Sequence, residues 1–144
     1  MKVLLYTEAM NLLGKSGVGK ARSHQIRALE EVGVEWTIDP KEPVDLIHIN
    51  TILPKSRHLA RKAKKQGIPV VYHAHSTVED FRNSYLCANA VAPLFKKWLC
   101  SCYRSGDCLI TPTPYSKRLI EQYGIEKPIY PCSNGIDLSF YKKA

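Results

Sequence analysis

The densest group of chemically capable side chains in this 144-residue sequence is His73-Ala74-His75-Ser76-Thr77-Val78-Glu79-Asp80, directly after the apolar run Val70-Val71-Tyr72. If that run is a strand, alternation puts His73 and His75 on one side. Two imidazoles so placed suit acid–base or hydrogen-bonding work at a substrate. They also suit metal ligation, although no third ligand stands at a recognisable spacing. A core histidine bonded to a backbone carbonyl is the remaining reading. His48 and Asn50 close another apolar run and fit a site rim or a structural polar pair equally well, while His24 and His58 fall on helical segments as solvated or locally satisfied groups.

Glycines supply the second candidate. Gly14-Lys15-Ser16-Gly17-Val18-Gly19-Lys20-Ala21 nearly spells a Walker phosphate loop, but Ala21 stands where a magnesium-binding hydroxyl belongs. The segment also starts well after the first apolar run, whereas a phosphate loop follows its strand directly. A dinucleotide fingerprint fails at Arg22, which occupies the third glycine position. Two readings stay open: a turn that contacts an anion or a sugar through bare backbone, since helix N-termini attract phosphate, or a glycine turn that only starts a helix.

These groups need elements to hold them. The pattern predicts strands over Lys2–Thr7, Val34–Ile38, Asp45–Ile49, Pro69–His73, Cys108–Ile110 and Ile129–Pro131. It predicts helices over Gly17–Val32, Ser56–Gln66 and Ser116–Tyr123, each followed by glycine. In the first, Val18, Ala21, Ala28, Leu29 and Val32 share a side. Asp80–Arg104 reads as helical with a break or kink at Pro93, its apolar side formed by Cys87, Val91, Leu94, Phe95, Trp98 and Cys102. Strands separated by such helices require crossovers, so the expected fold is α/β, a doubly wound, mainly parallel, Rossmann-like sheet. Ligands of such sheets bind beyond the carboxyl ends of the strands, which is where both candidate segments fall.

Composition narrows the classes. No apolar run approaches the ~20 residues that span a bilayer, and Met1–Tyr6 is too short for a signal peptide. Five cysteines without a Cys-x-x-Cys pair fit reduced thiols better than a disulfide scaffold. Lysine and arginine number 21 against 13 acidic residues, a net charge of +8 and a pI near 9.3, which favours anionic partners. Lys55, Arg57, Arg61, Lys62, Lys64 and Lys65 crowd one helix whose apolar sector is only Leu59, Ala60 and Ala63. Lys96, Lys97 and Trp98 form a second cationic, aromatic patch. Such faces suit an anionic membrane surface or plain solvation. No RNA-binding signature accompanies them, so nucleic acid is not an expected partner.

Taken together, the Gly17-Val18-Gly19 turn, His73–Thr77, the segment Ile110–Ile120, and Ser133-Asn134-Gly135-Ile136-Asp137 with Phe140 resemble the N-terminal half of a family 4 retaining glycosyltransferase of the two-domain GT-B architecture. The Asn134–Asp137 segment is the most specific piece, and the resemblance covers nearly the whole chain. Val70–Ser84 and Ala92–Lys97 further resemble the bacterial subgroup that glucosylates diacylglycerol or related envelope acceptors. The resemblance implies an acceptor-side domain over residues 1–140 and the start of an interdomain linker at 141–144. It makes His75 catalytic, and sets Gly17, Gly19, Asn134 and Gly135 against the donor. His73, Asp80, Arg82 and Thr113 fall on the acceptor side, with Ser116 in the loop before the next helix. The implied donor is a nucleotide-sugar and the implied acceptor a lipid or polymer hydroxyl. Neither metal nor cofactor is expected, and the place of work is the cytoplasmic face of the plasma membrane, peripherally.

One departure is large. The family's second domain carries a Glu-x7-Glu pair, and none of the eight glutamates here forms one. The donor-side domain is therefore expected to come from further sequence or from another chain, with the 144-residue chain folding but not turning over sugar. The alternative is a non-catalytic membrane- or partner-binding module derived from such a domain.

Overall fold

Parallel pairing forces each strand to return through a crossover, and the computed structural model, which describes residues 1–82, 84, 87–136 and 138, is built that way. The elements are β1 (Lys2–Tyr6), α1 (Met10–Leu13), α2 (Gly17–Glu31), β2 (Glu35–Thr37), β3 (Leu46–Ile49), α3 (Pro54–Lys65), β4 (Val70–His73), α4 (Val78–Phe81), α5 (Ala88–Tyr103), β5 (Cys108–Thr111), α6 (Pro114–Glu121) and β6 (Ile129–Pro131). The strands form one sheet in the order β2-β1-β3-β4-β5-β6, and every pairing is parallel. The order reverses between β1 and β3, the kind of switch point at which open α/β sheets bind ligands. Asp137, Phe140 and the linker expected at 141–144 lie outside the described residues.

Alternation divides the sheet. Ile47, Ile49, Val70, Tyr72 and Leu109 point to one face and are buried with Ala60 and Ala63 of α3, Leu99 and Tyr103 of α5 and Ile120 of α6. The other face carries His48, His73 and His75 and meets α2. Gly33 and Gly67 close α2 and α3 with φ of 68° and 72°, left-handed angles that glycine adopts without a Cβ penalty.

Four sequence expectations change. Met10–Leu13 forms a short helix that was not anticipated. The helical stretch Asp80–Arg104 divides between α4 and α5, ahead of Pro93, which sits inside α5 on its exposed side. There the missing N–H costs one hydrogen bond without burying what it frees. The buried side of α5 is Ala88, Ala92, Leu99, Cys100, Cys102 and Tyr103, whereas Val91 and Leu94 are 43% and 70% exposed and Cys87 lies on the surface. In α2 the buried residues are Gly19 and Ala21, while Ala28 and Val32 are exposed. Its 15 residues span about 22 Å against about 17 Å for β1, so the far end overhangs the sheet.

The core is tied to the segment after β4 by two phenols. Tyr72 and Tyr103 are fully buried, edge to face at 5.6 Å. The Tyr103 hydroxyl donates to Ser76 O at 2.7 Å and accepts from Ser76 N at 3.3 Å. The Tyr123 hydroxyl accepts from Val78 N at 2.9 Å and donates to the Glu79 carboxylate. Tyr103→Phe leaves both main-chain groups of Ser76 without that partner, and is expected to lower the unfolding free energy by about 1–3 kcal/mol. Urea midpoints check this, and an unchanged midpoint removes the phenol from the framework.

Candidate functional site

Three loops converge at the β1/β3 switch point, after β1, β3 and β4. Glu8 organises the first two. Its carboxylate accepts from Ser56 N at 2.8 Å and Ser56 Oγ at 3.1 Å, in the first turn of α3, where the N-cap residue Leu53 has no polar side chain to offer. Glu8 N donates to Thr51 Oγ1, which in turn contacts Ser56 Oγ at 2.7 Å. An anion at a helix N-terminus is favourable, so this carboxylate both caps α3 and moors the loop that carries α1. Between the moored loops lies a cavity of about 290 Å³, lined by Leu12, Leu13 and Val18 on one wall, Ile52 and Leu53 on another, and Asn50, His73, His75 and Ser76 at its polar end.

That polar end is a wired group of side chains. His73 and His75 stack with ring centres 4.1 Å apart, and His48 lies 5.2 Å beyond His73 in a near-parallel plane. Gln25 of α2 and Asn50 exchange two amide hydrogen bonds of 2.8 and 2.9 Å. Gln25 Nε2 also reaches His73 Nδ1 at 3.0 Å, His48 Nε2 reaches the same atom at 3.1 Å, and His75 Nε2 reaches Asn50 Oδ1 at 3.0 Å. Burial lowers all three imidazoles, His48 and His75 to about 4 and His73 further, with the neighbouring rings adding to the effect on His48 and His73. They are neutral hydrogen-bonding groups at pH 7. Their nitrogens turn to one another and to the Gln25 and Asn50 amides rather than to one point, and no metal-holding group of three His, Cys, Asp or Glu occurs among the described residues.

The other expected site residues separate into two kinds. Asn134 comes to the cluster: its backbone oxygen accepts from His24 Nδ1 at 2.7 Å, and its side chain lies against His73. Gly135, with φ of 77°, sits beside the His24 ring. Gly17 opens α2 with free space about it, but a Cβ on Gly19 would stand 2.7 Å from Leu13 O. Gly19 thus serves the packing of α2 on the end of α1, and with α1 placed between β1 and the glycines no Walker loop forms. Asp80 and Thr113 work in helix caps: Thr77 Oγ1 donates to the Asp80 carboxylate at 2.6 Å, and Thr113 shares a reciprocal capping box with Ser116. Arg82 is exposed after α4.

The cationic faces also sort. Lys55, Arg61, Lys62, Lys64, Lys65, Lys96 and Lys97 are exposed. Lys62, Lys64 and Lys65 complement the negative end of α3, at the edge of the sheet away from the cavity. Lys96 reaches over the Tyr123 ring. Arg57 and Trp98 are not part of a free surface. Arg57 Nε donates to Ser101 Oγ at 2.8 Å and its guanidinium lies over the Trp98 ring, while Trp98 Nε1 donates to Ile52 O at 2.6 Å.

Gln25 was not singled out by the sequence, and Asn50 and His48 only as even alternatives. A signal for Gln25 existed: it falls one helical turn after Ala21 on the side of α2 that meets the sheet, a polar residue where an apolar one is expected.

Comparison with known proteins adds two findings. The model of the family described as Glycosyltransferase Family 4 matches residues 24–140. The chain is 48% identical over 143 residues to the processive diacylglycerol alpha-glucosyltransferase of Acholeplasma laidlawii, an alignment that takes in 99% of this chain and 42% of that protein. The chain therefore spans less than half the length of the curated relative it matches.

The depressed imidazoles give a stability prediction. Unfolded histidine titrates near ~6.5, so below that pH the unfolded chain takes up protons that folded His48, His73 and His75 refuse. Their contribution is complete above pH 7 and is lost as pH falls from about 6.5 toward about 4, with a slope of up to ~1.4 kcal/mol per pH unit for each histidine. Urea midpoints across this range, compared between the wild type and His48→Gln, measure it. The variant is expected to show the shallower acid slope, and equal slopes would contradict the assignment.

Proposed function

This chain belongs to glycosyltransferase family 4, and from that premise we propose that it is the acceptor-side half of a two-domain retaining enzyme that moves a glucosyl-type unit from a nucleotide-sugar onto a lipid hydroxyl. The observation that carries the reading is the polarity gradient of the cavity, from Leu12, Leu13, Ile52 and Leu53 to Asn50, His73 and His75. A hydroxyl on a hydrocarbon stem matches it: the stem gains ~0.8 kcal/mol per buried methylene, and the hydroxyl reaches the imidazoles. A glycan polymer would leave its own hydroxyls against leucine side chains, at the cost of unpaired polar groups. The Acholeplasma relative, by its name, works on diacylglycerol, and the same acceptor class suits this cavity.

In this reading His75, neutral at pH 7, holds the acceptor hydroxyl by hydrogen bonding. The N-terminus of α2 at Gly17 offers main-chain amides to the donor diphosphate, whose departing charge is offset by such fixed dipoles and by cations. Asn134 and Gly135 lead toward the donor-side domain. No metal is assigned a role. In this reading the enzyme works on the cytoplasmic membrane surface as a peripheral protein. Among the described residues no helix is long and apolar enough to cross a bilayer. Exposed cations on α3 and α5 add ~1 kcal/mol each near anionic lipid.

Trp98, bonded to Ile52 O, is a built-in reporter of the cavity wall. In a Trp36→Phe background, short-chain diacylglycerol is expected to change its fluorescence saturably, with Leu13→Glu abolishing the response. Saturable binding of a glycan acceptor in place of diacylglycerol would overturn the lipid assignment. The 144-residue chain alone is expected to transfer no sugar. In the longer enzyme, His75→Ala is expected to lower kcat by about 10²-fold or more, measured with nucleotide-sugar and diacylglycerol. Unchanged kcat there would remove His75 from the catalytic group.

A further inference from the structure

The imidazole cluster can be read hydrogen by hydrogen. A primary amide has two N–H donors and one carbonyl acceptor, and a neutral imidazole has one donor and one acceptor. Gln25 Nε2 faces both Asn50 Oδ1 and His73 Nδ1, so each of its hydrogens has a destination and His73 Nδ1 accepts. His73 then carries its proton on Nε2. Asn50 Oδ1, already accepting from Gln25, also faces His75 Nε2, so that nitrogen is the donor. His75 Nδ1 is left unprotonated, and it has no hydrogen-bond partner among the described residues. His48 Nε2 faces the same His73 Nδ1 and shares its single acceptor site with Gln25.

Only one other wiring closes the same contacts. Turning both amides over would place protons on Nδ1 of His73 and Nδ1 of His75 and would reverse every bond in the set. Asn134, with its amide oxygen turned inward as the structure has it, favours the first. Its Oδ1 and His73 Nε2 are both buried and both without a hydrogen-bond partner, and its side chain lies against His73. A protonated His73 Nε2 complements that oxygen; in the reversed wiring two bare acceptors would meet there, each unable to satisfy the other.

We propose that the Gln25–Asn50 amide pair is a tautomer lock: it holds His75 with its proton on Nε2 and so presents His75 Nδ1 to the cavity as a hydrogen-bond acceptor. Gln25 and Asn50 are thereby positioning residues, neither touching the acceptor directly through this role. The consequence rests on the acceptor reading above, because an unprotonated Nδ1 takes a hydrogen bond from a hydroxyl whereas the other tautomer would offer one. Asn50 also packs at the end of β3, its N–H bonded to Tyr6 O at 2.9 Å, so the lock is anchored at the switch point.

Long-range proton–nitrogen NMR of the 15N-labelled chain at pH 7 tests the lock without sugar or lipid. His24 is an internal reference of opposite sign, since its Nδ1 faces the Asn134 carbonyl oxygen and must carry the proton. The expected wild-type pattern is Nε2–H for His73 and His75 and Nδ1–H for His24. Asn50→Leu and Gln25→Leu are each expected to convert His75 to a mixture of tautomers, the second by releasing the Asn50 amide, while His73, still facing Asn134 Oδ1, keeps its proton on Nε2 and His58 is unmoved. A His75 that is protonated on Nδ1 or already mixed in the wild type overturns the proposal, as does a single unchanged tautomer in a folded Asn50→Leu. Backbone amide dispersion reports folding, and if Asn50→Leu does not fold, the wild-type pattern and Gln25→Leu decide. Failure of the diacylglycerol titration with an intact tautomer pattern would count against the acceptor reading alone.

Discussion

An imidazole removed from water keeps its place only when its nitrogens find partners, because an unpaired buried polar group costs more than its packing returns. His48, His73 and His75 each bring one nitrogen to a partner, in a group closed by Gln25 and Asn50. The requirement reaches across the fold: α2 must lie where Gln25 touches both β3 and β4, β3 must end with Asn50 at the height of His75, and the segment after β6 must bring Asn134 to His73. The helix, the two strands and the terminal loop are therefore held in mutual register by polar contacts, on a face where few large apolar side chains could do it.

The opposite face is conventional by comparison. There the sheet buries Ile47, Ile49, Val70, Tyr72 and Leu109 under three helices, and apolar burial at roughly 25 cal/mol per Å² supplies the main driving force. The two faces communicate through hydroxyls. Tyr103 and Tyr123 belong to the apolar side, yet their phenol oxygens hold Ser76 and Val78 in the segment that follows His75. The stable half of the molecule thus fixes the backbone that carries its polar half.

Much of this was legible in the sequence, for identifiable reasons. All six strands announced themselves as short apolar runs, and the alternation that joined His73 to His75 is a property of any strand. The parallel order followed from the intervening helices. What failed depended on contacts between distant positions. Pro93 marks no boundary, because its ring faces outward. Val91 and Leu94 look like core residues by type but lie off the side of α5 that buries Ala88, Ala92 and Leu99. Arg57 and Trp98 looked like surface ornaments of two separate patches, whereas they stack on each other. Gln25 lay 48 residues from its partner His73, and no local pattern links them. Thr113 and Asp80 are read from the sequence as acceptor contacts, and the structure adds that their hydroxyl and carboxylate also take part in helix caps.

The four-residue helix α1 contributes no strand, no buried residue and no cap to the framework, yet Leu12 and Leu13 make one wall of the cavity, and Leu12 is 86% exposed. A change in the length of α1 would act first on that wall, and on the imidazoles only through Gly19, where α2 packs on its end. Under the reading proposed above, the reach of the cavity and the wiring of its polar end are set by different stretches of one polypeptide.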